Sequence, residues 1–96
     1  MLYALICTDK PDSLDLRMQM RPAHLSFLDK LGSNLKAAGP FLDDDETPIG
    51  SLVIITAENK AEAQAIAAQD PYAIAGLFAS VEIKPWKWLL KNPESA

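Results

Sequence analysis

Two segments of the chain carry apolar side chains at nearly every position, and each has the length of a β-strand. They are residues 2–8 (Leu-Tyr-Ala-Leu-Ile-Cys-Thr) and residues 51–57 (Ser-Leu-Val-Ile-Ile-Thr-Ala). Because successive side chains of a strand point to opposite faces, both faces of each segment are apolar. The pattern predicts two strands of one sheet that are covered on both faces.

A helix is predicted shortly after the first strand. Residues 9–12 (Asp-Lys-Pro-Asp) have the composition of a turn. Asp12 is a residue type that caps helix N-termini, and Asp15 follows in the first turn, where the helix dipole favours negative charge. The sequence therefore predicts a helix over residues 13–20 with Asp12 as its N-cap.

A proline interrupts this helical pattern. Pro22 predicts a break or kink near Arg21, because an internal proline removes a backbone hydrogen bond and clashes with the preceding turn. A second helical stretch is predicted over residues 22–31, with Gly32 as the stop signal. Its apolar stripe consists of leucines at helical spacing, which are Leu25, Leu28 and Leu31.

The rest of the chain predicts two more strands, one alanine-rich helix and a short helical turn. In order these are a strand over residues 34–42, a loop over 43–50, a helix over about 60–69 capped by Asn59 and Glu62, a turn that opens at Asp70-Pro71-Tyr72 and ends at Gly76, a strand over 77–84, and a tail over 85–96 whose end from about residue 89 is predicted to be flexible.

The order of predicted elements is β-α-β-β-α-β. This order indicates an α+β, ferredoxin-like fold in which two helices cover one face of an antiparallel four-stranded sheet. Helices on one face leave the other face open, although the first and third strands are apolar on both sides. A second copy of the chain is the economical cover, so the sequence predicts a homodimer packed through the sheet face.

The length and net charge of the chain exclude several domain organisations and classes of binding partner. The chain has 96 residues, which predicts a single domain over residues 1–96. Its formal net charge is −4, so a general binder of nucleic-acid phosphates is not expected. We expect no membrane partner either, because the apolar runs fall short of the roughly 20 residues that span a bilayer.

The counts of cysteine and histidine restrict the chemistry further. Cys7 and His24 are single examples of their residue types, so no internal disulfide can form. A protein-only zinc site usually needs several nitrogen or sulfur ligands, so no metal site is predicted. Cys7 is expected to be a small buried hydrophobe, and a reducing cytoplasm is the expected location. The chemistry suggested by the sequence requires no cofactor, so none is expected.

Several short motifs occur along the chain in an order and spacing that resemble those of the YciI-like (YCII-related) family of small bacterial proteins. The resemblance runs from residue 1 to about residue 88 and rests on Met1-Leu2-Tyr3, Asp9, Ser13-Leu14, Arg17, Arg21-Pro22-Ala23-His24-Leu25, Ala38-Gly39-Pro40, Gly50-Ser51, Asp70-Pro71-Tyr72 and Lys84-Pro85. It implies a dimeric ferredoxin-like fold of the α/β-barrel type with an active site around a His–Asp pair. One branch of this family eliminates HCl from chlorinated hydroxyquinols. The connection over residues 43–49 is shorter than is typical of the family.

The resemblance carries the catalytic pair over as His24 and Asp70. Imidazole suits proton transfer near neutral pH, and a carboxylate beside it fixes the tautomer and stabilises the imidazolium. A second interpretation stays open for Asp70, since an Asp before a Pro is also a good N-cap. Asp9, at the end of the first strand, is the rival partner of His24 or an ordinary turn residue.

Four further residues are candidates for substrate binding. Arg17 and Arg21 share a helix face at i, i+4 spacing if the helix continues, and their guanidinium groups could grip a carboxylate or phenolate. They could instead be solvated or pair with nearby acidic residues. Ser51 offers a hydroxyl at the start of a strand but has no nucleophile-elbow sequence around it. Tyr72 either contacts an aromatic ligand or fills space beneath its turn.

Two hypotheses of different class follow. The first is a small acid–base enzyme, without a cofactor, that performs elimination or isomerisation on a small anionic or phenolic molecule. The second is a non-catalytic small-molecule-binding or accessory domain on the same dimeric scaffold, because a fold does not dictate a function.

Overall fold

The computed structural model describes residues 1–94, and within them four strands and three α-helices follow the predicted β-α-β-β-α-β order. The elements are β1 (Leu2–Asp9), α1 (Leu14–Lys30), a 3-10 turn (Gly32–Asn34), β2 (Leu35–Leu42), β3 (Pro48–Thr56), α2 (Lys60–Ala68), α3 (Pro71–Ile74) and β4 (Phe78–Trp86). The strands form one antiparallel sheet in the order β2-β3-β1-β4. The predicted ferredoxin-like fold is thereby confirmed.

The two strands that are apolar on both faces lie side by side at the centre of the sheet. Leu2 of β1 pairs with Thr56 of β3, and Thr8 pairs with Gly50 at the other end. One face packs against the helices and carries the hydrophobic core, whose buried members are Tyr3, Leu5, Cys7, Leu28, Val53, Ile55, Ala57 and Ala63. Burying apolar area of this kind is the dominant favourable contribution to folding.

The opposite face of the sheet is partly covered by the C-terminal segment, residues 87–94. Ala4 and Ile54 belong to this face by alternation, yet they are only 7% and 5% exposed. The Trp88 ring lies 5.7 Å from that of Trp86 on β4, and Glu94 Oε1 lies 2.7 Å from Lys36 Nζ on β2. Since β4 and β2 are the two edges of the sheet, the segment extends from one edge to the other. Residues 95–96 of the predicted flexible tail lie outside the described residues.

Helix α1 runs without interruption through Pro22, so the predicted break near Arg21 is wrong. Pro22 removes one hydrogen bond, to the carbonyl oxygen of Met18, but both residues are exposed and water can reach that oxygen. The helix is held by tertiary contacts instead, because its buried residues, Arg17, His24 and Leu28, form one face against the rest of the molecule.

The start of α1 also differs from the prediction. Its N-cap is Ser13, and Asp12 has a φ of 55°, in the left-handed region. Asp12 belongs to the preceding turn, one residue before the N-cap, and among the residues described its side chain makes no capping hydrogen bond. The Ser13 hydroxyl donates to the Pro11 carbonyl oxygen.

Two strand boundaries move, while the two other predicted caps are confirmed. β3 begins at Pro48, three residues before the predicted start, because β2 continues to pair with it up to that point. β4 continues to Trp86, two residues beyond the predicted end, because it pairs with β1 as far as Leu2. The Asn59 side chain accepts from the Glu62 N–H, and Asp70 caps α3.

Burial of Cys7 predicts a measurable loss of stability at high pH. Burial, the charge of Asp70 and the charge of Asp9 raise the pKa of the Cys7 thiol from 9.0 to about 12, while Arg17 acts in the opposite direction. Between these two values the unfolded chain binds fewer protons than the folded chain. The contribution of the Cys7 thiol to the free energy of unfolding is therefore complete below pH 9. It decreases as the pH rises towards 12, by at most about 1.4 kcal/mol per pH unit.

This prediction is checked by urea unfolding of the wild type and of Cys7→Ala at pH 8 and pH 10.5. We expect the free energy of unfolding of the wild type to fall more steeply with pH than that of the variant. Parallel pH dependences of the two proteins would contradict the buried, protonated thiol.

Candidate active site

A cavity of about 220 Å³ lies between α1 and the strands β2 and β3. Its walls are largely apolar, with Met18, Leu25 and Leu28 on the helical side and Ala38 and Pro40 on the side of the sheet. Five of the seven sequence-predicted site residues line it, namely Arg17, Arg21, His24, Ser51 and Tyr72. The two predicted carboxylates lie behind this lining, each bound to one of its residues.

His24 of α1 and Asp70 at the start of α3 form a buried pair. The Nδ1 atom of His24 lies 2.9 Å from Oδ1 and 3.0 Å from Oδ2 of Asp70. The two residues are 7% and 5% exposed. A carboxylate only accepts hydrogen bonds, so this contact assigns the ring proton of a neutral His24 to Nδ1 and leaves Nε2 unprotonated.

The local backbone fixes Asp70 in this position. Its Oδ1 accepts a hydrogen bond of 2.9 Å from the Tyr72 N–H, and Pro71 occupies the first turn of α3. Proline suits that place because its ring sets the helical φ and it has no N–H to leave unpaired. The two interpretations of Asp70 are therefore compatible, since one carboxylate caps a helix and contacts His24.

Asp9, the rival partner of His24, binds Arg17. Arg17 Nε lies 2.6 Å from Asp9 Oδ2, and one terminal nitrogen lies 3.0 Å from Oδ1 and 2.8 Å from Ser51 Oγ. Burial by itself lowers the pKa of Arg17, but the hydrogen bond and charge of Asp9 outweigh it and raise that pKa above its ordinary value. The guanidinium is thus a permanent cation, engaged on two sides.

Ser51 reaches this pair from the start of the buried part of β3. The preceding residue, Gly50, faces the backbone of β1 so closely that a Cβ would lie 2.5 Å from the carbonyl oxygen of Cys7. Glycine lets the two strands pair here, and Ser51 follows at 3% exposure. Its Oγ accepts from Arg17, so its own hydroxyl hydrogen is available to another acceptor in the cavity.

Tyr72 is almost fully buried, at 1% exposure, and its ring contacts both Arg17 and His24. Its ring stacks on that of His24 with centroids 4.0 Å apart and 14° between the planes. The guanidinium carbon of Arg17 lies 4.7 Å from the centroid of the same ring. Burial raises the pKa of Tyr72 above its ordinary value against the opposing charge of Arg17, so the phenol is neutral.

Arg21 differs from Arg17 although the two lie one turn apart. It lines the cavity, its side chain is exposed, and within residues 1–94 no carboxylate lies within ion-pair distance of it. The positive charge of Arg17 is balanced by Asp9 and that of a protonated His24 by Asp70. Among the cationic side chains that line the cavity, Arg21 is therefore the one whose charge is available to bind an anionic ligand.

Several wall residues escaped the sequence reasoning. Leu25 and Leu28 have the helical spacing of a core stripe, but Leu25 is 44% exposed and faces the cavity. Ala38 carries no signal that β2 lies opposite α1. In the described part of the chain, no cluster of three or more His, Cys, Asp or Glu side chains could bind a metal ion. None of the helices described is long and apolar enough to span a membrane.

Comparison with known proteins identifies similar chains of nearly the same length. The YciI protein of Escherichia coli O6:H1 is 42% identical over 95 residues, which cover 91% of this chain and 97% of that protein. An uncharacterized protein of Haemophilus influenzae is 41% identical with the same coverage. Among solved structures, 5-chloro-2-hydroxyhydroquinone dehydrochlorinase from Burkholderia phenoliruptrix AC1100, in complex with 2,5-dihydroxybenzoquinone, has a TM-score of 0.83 and 35% identity and covers 91% of this chain and 94% of its own.

The family follows from these findings. The family model of the YCII-related domain matches residues 1–87, which is most of the chain and includes every predicted site residue. The alignments with the two relatives cover 91% of this chain and 97% of each relative. The chain therefore belongs to the YCII-related family.

Proposed function

We propose that the protein is a small acid–base enzyme that performs elimination or isomerisation by proton transfer on a small anionic or phenolic molecule. The observation that carries this proposal is the contact of His24 Nδ1 with both carboxylate oxygens of Asp70 at the wall of a cavity. We further propose that the single domain works in the cytoplasm without a cofactor.

The free nitrogen of His24 is the proposed proton acceptor. Within residues 1–94 every fully buried side-chain nitrogen or oxygen has a hydrogen-bond partner, whereas Nε2 of His24 has none. Nε2 is therefore accessible, and the cavity is the space that His24 lines. A base in this position can take a proton from a bound molecule while Asp70 stabilises the imidazolium that forms.

The proposed reaction is balanced by the groups of the substrate itself. His24 Nε2 takes a proton from a carbon or hydroxyl group, and the electron pair of that bond forms a new double bond. In an elimination, a leaving group on the neighbouring carbon departs with its own electron pair. In an isomerisation, an existing double bond of the substrate opens instead, its electron pair moves to another atom, and the imidazolium returns the proton to that atom.

The proposed ligand class follows from the charge and size of the cavity. Arg21 supplies a cation that can grip a carboxylate or phenolate, and the Ser51 hydroxyl can donate to a second oxygen. The remaining walls are apolar. A cavity of about 150 Å³ accepts benzene, so a cavity of about 220 Å³ suits one substituted ring. The similarity to a dehydrochlorinase bound to a dihydroxybenzoquinone supports this class.

The catalytic proposal is tested by chloride release and product formation with 5-chloro-2-hydroxyhydroquinone and related small phenols. We expect His24→Ala to lower kcat by about 10²–10⁴-fold, the usual contribution of a general base. Arg21→Gln is expected mainly to raise KM, because an anion grip binds the substrate and transition state alike. Lys30→Gln, a matched change on the exposed end of α1, is the control. Full activity of His24→Ala would overturn the proposal, and saturable binding without product would favour the non-catalytic binding domain.

We also propose a homodimer through the sheet face that lacks helices. The C-terminal segment covers only part of that face, and Trp86 and Phe41 remain 40% and 41% exposed on it. Large apolar side chains exposed on one face are typical of an interface. Sedimentation at micromolar concentration is expected to give twice the mass of the chain, and a monomer at that concentration would contradict the dimer.

A further inference from the structure

The buried pair of Arg17 and Asp9 lies beside the proposed base without an evident role in the proton transfer. Its side chains are 5% and 6% exposed, and it joins the end of β1 to α1. Removing two charges from water is costly, and a buried ion pair is weak evidence for stability. Its geometry is specific, however, because the bidentate contact fixes the plane of the guanidinium.

That plane supports one side of the Tyr72 ring, and His24 lies on the other. Arg17 and His24 are seven residues apart on α1, so two helical turns place them on the same face with a rise of about 10.5 Å between them. The Tyr72 ring is 4.7 Å from the guanidinium carbon of Arg17 and 4.0 Å from the His24 centroid. One face of the Tyr72 ring cannot hold both groups at these distances, so the ring lies between the two side chains.

Tyr72 also contacts Asp70, the partner of His24. Its backbone N–H donates to Asp70 Oδ1, while its ring stacks on His24. One residue therefore controls both the position of the carboxylate and the plane of the imidazole. The hydrogen bond to Asp70 fixes where Nδ1 lies, and the stacked ring prevents rotation of the imidazole about that bond.

We propose that Arg17 and Tyr72 are positioning residues that hold the His24 ring in the plane from which Nε2 reaches the cavity. The chain of contacts runs from Asp9 to Arg17, from Arg17 to the Tyr72 ring, and from that ring to His24. Its catalytic consequence rests on the proposed function. In this arrangement both residues line the cavity, but Arg17 is bound to Asp9 and Ser51 and the Tyr72 ring is stacked on His24, so their main role is to position the imidazole.

The test uses the ring signals of His24, which are unambiguous in NMR spectra because the chain has one histidine. In the wild type we expect the ring protons to be shifted upfield by the stacked Tyr72 ring and to show through-space contacts with it. Tyr72→Leu is expected to move them downfield, and Tyr72→Phe, which keeps the ring, to retain the wild-type positions. Arg17→Lys, which keeps the charge but loses the plane, should produce a smaller downfield shift.

A matched control separates positioning from general loss of packing. Phe78 contacts the edge of Tyr72, with centroids 6.0 Å apart, but is not part of the stack. Phe78→Leu should lower Tm and leave the His24 signals unchanged. Unchanged His24 signals in a folded Tyr72→Leu would overturn the proposal. If Tyr72→Leu does not fold, unchanged signals in Arg17→Lys would overturn it in the same way.

The kinetic readout distinguishes this proposal from the proposed function. With a turned-over phenol, we expect Tyr72→Leu to lower kcat by about 10²-fold with little change in KM, since a misplaced catalytic group costs rate at this scale. Tyr72→Phe should recover most of that loss. A raised KM with unchanged kcat would contradict positioning and indicate a substrate ligand. Absence of turnover in the wild type would contradict the proposed function, while the NMR result would still decide the positioning.

Discussion

Asp70 must satisfy two partners at once, and the geometry of the site depends on this constraint. One carboxylate oxygen is held by the N–H of Tyr72 at the start of α3, and both oxygens lie within hydrogen-bond distance of His24 Nδ1. A capping residue has little freedom, because its side chain must reach back to the backbone of its own helix. The short helix α3 therefore serves mainly to present a carboxylate, in a fixed orientation, to a histidine 46 residues away in the sequence.

The second structural feature of the site is the separation of balanced and unbalanced charge. Arg17 and Asp9 form a buried pair, His24 faces Asp70, and Arg21 lines a cavity whose walls are largely apolar. Buried charges are tolerated when they are paired and hydrogen-bonded, which is the case for the first two groups. A ligand consequently meets one exposed cation, one available imidazole nitrogen, the Ser51 hydroxyl and largely apolar walls. This combination favours a small anion that carries a transferable proton.

The sequence predicts the elements whose causes are local and fails where distant contacts decide. The central strands are recognisable because both alternating sets of β1 and β3 are apolar, and the caps Asn59 and Asp70 follow from adjacent residues. The break at Pro22 is wrong because the local penalty is outweighed by the burial of one face of α1. The pairing of His24 with Asp70 came from the family resemblance, since no spacing rule connects residues so far apart. The partner of Arg17 was missed because a turn with Asp12 at φ 55° directs the chain, and only the folded turn brings Asp9 opposite the helix.

The central claim is that Asp70 keeps the proton of neutral His24 on Nδ1 and leaves Nε2 as the base, and ¹⁵N NMR of the histidine ring tests it most directly. The wild type is predicted to show the Nδ1–H form at a pH where the ring is neutral. In Asp70→Asn the capping oxygen stays on the Tyr72 N–H, so the new amide donor faces Nδ1 and the ring should shift to the Nε2–H form. An unchanged tautomer in a folded Asp70→Asn, or an Nε2–H form in the wild type, would contradict the account.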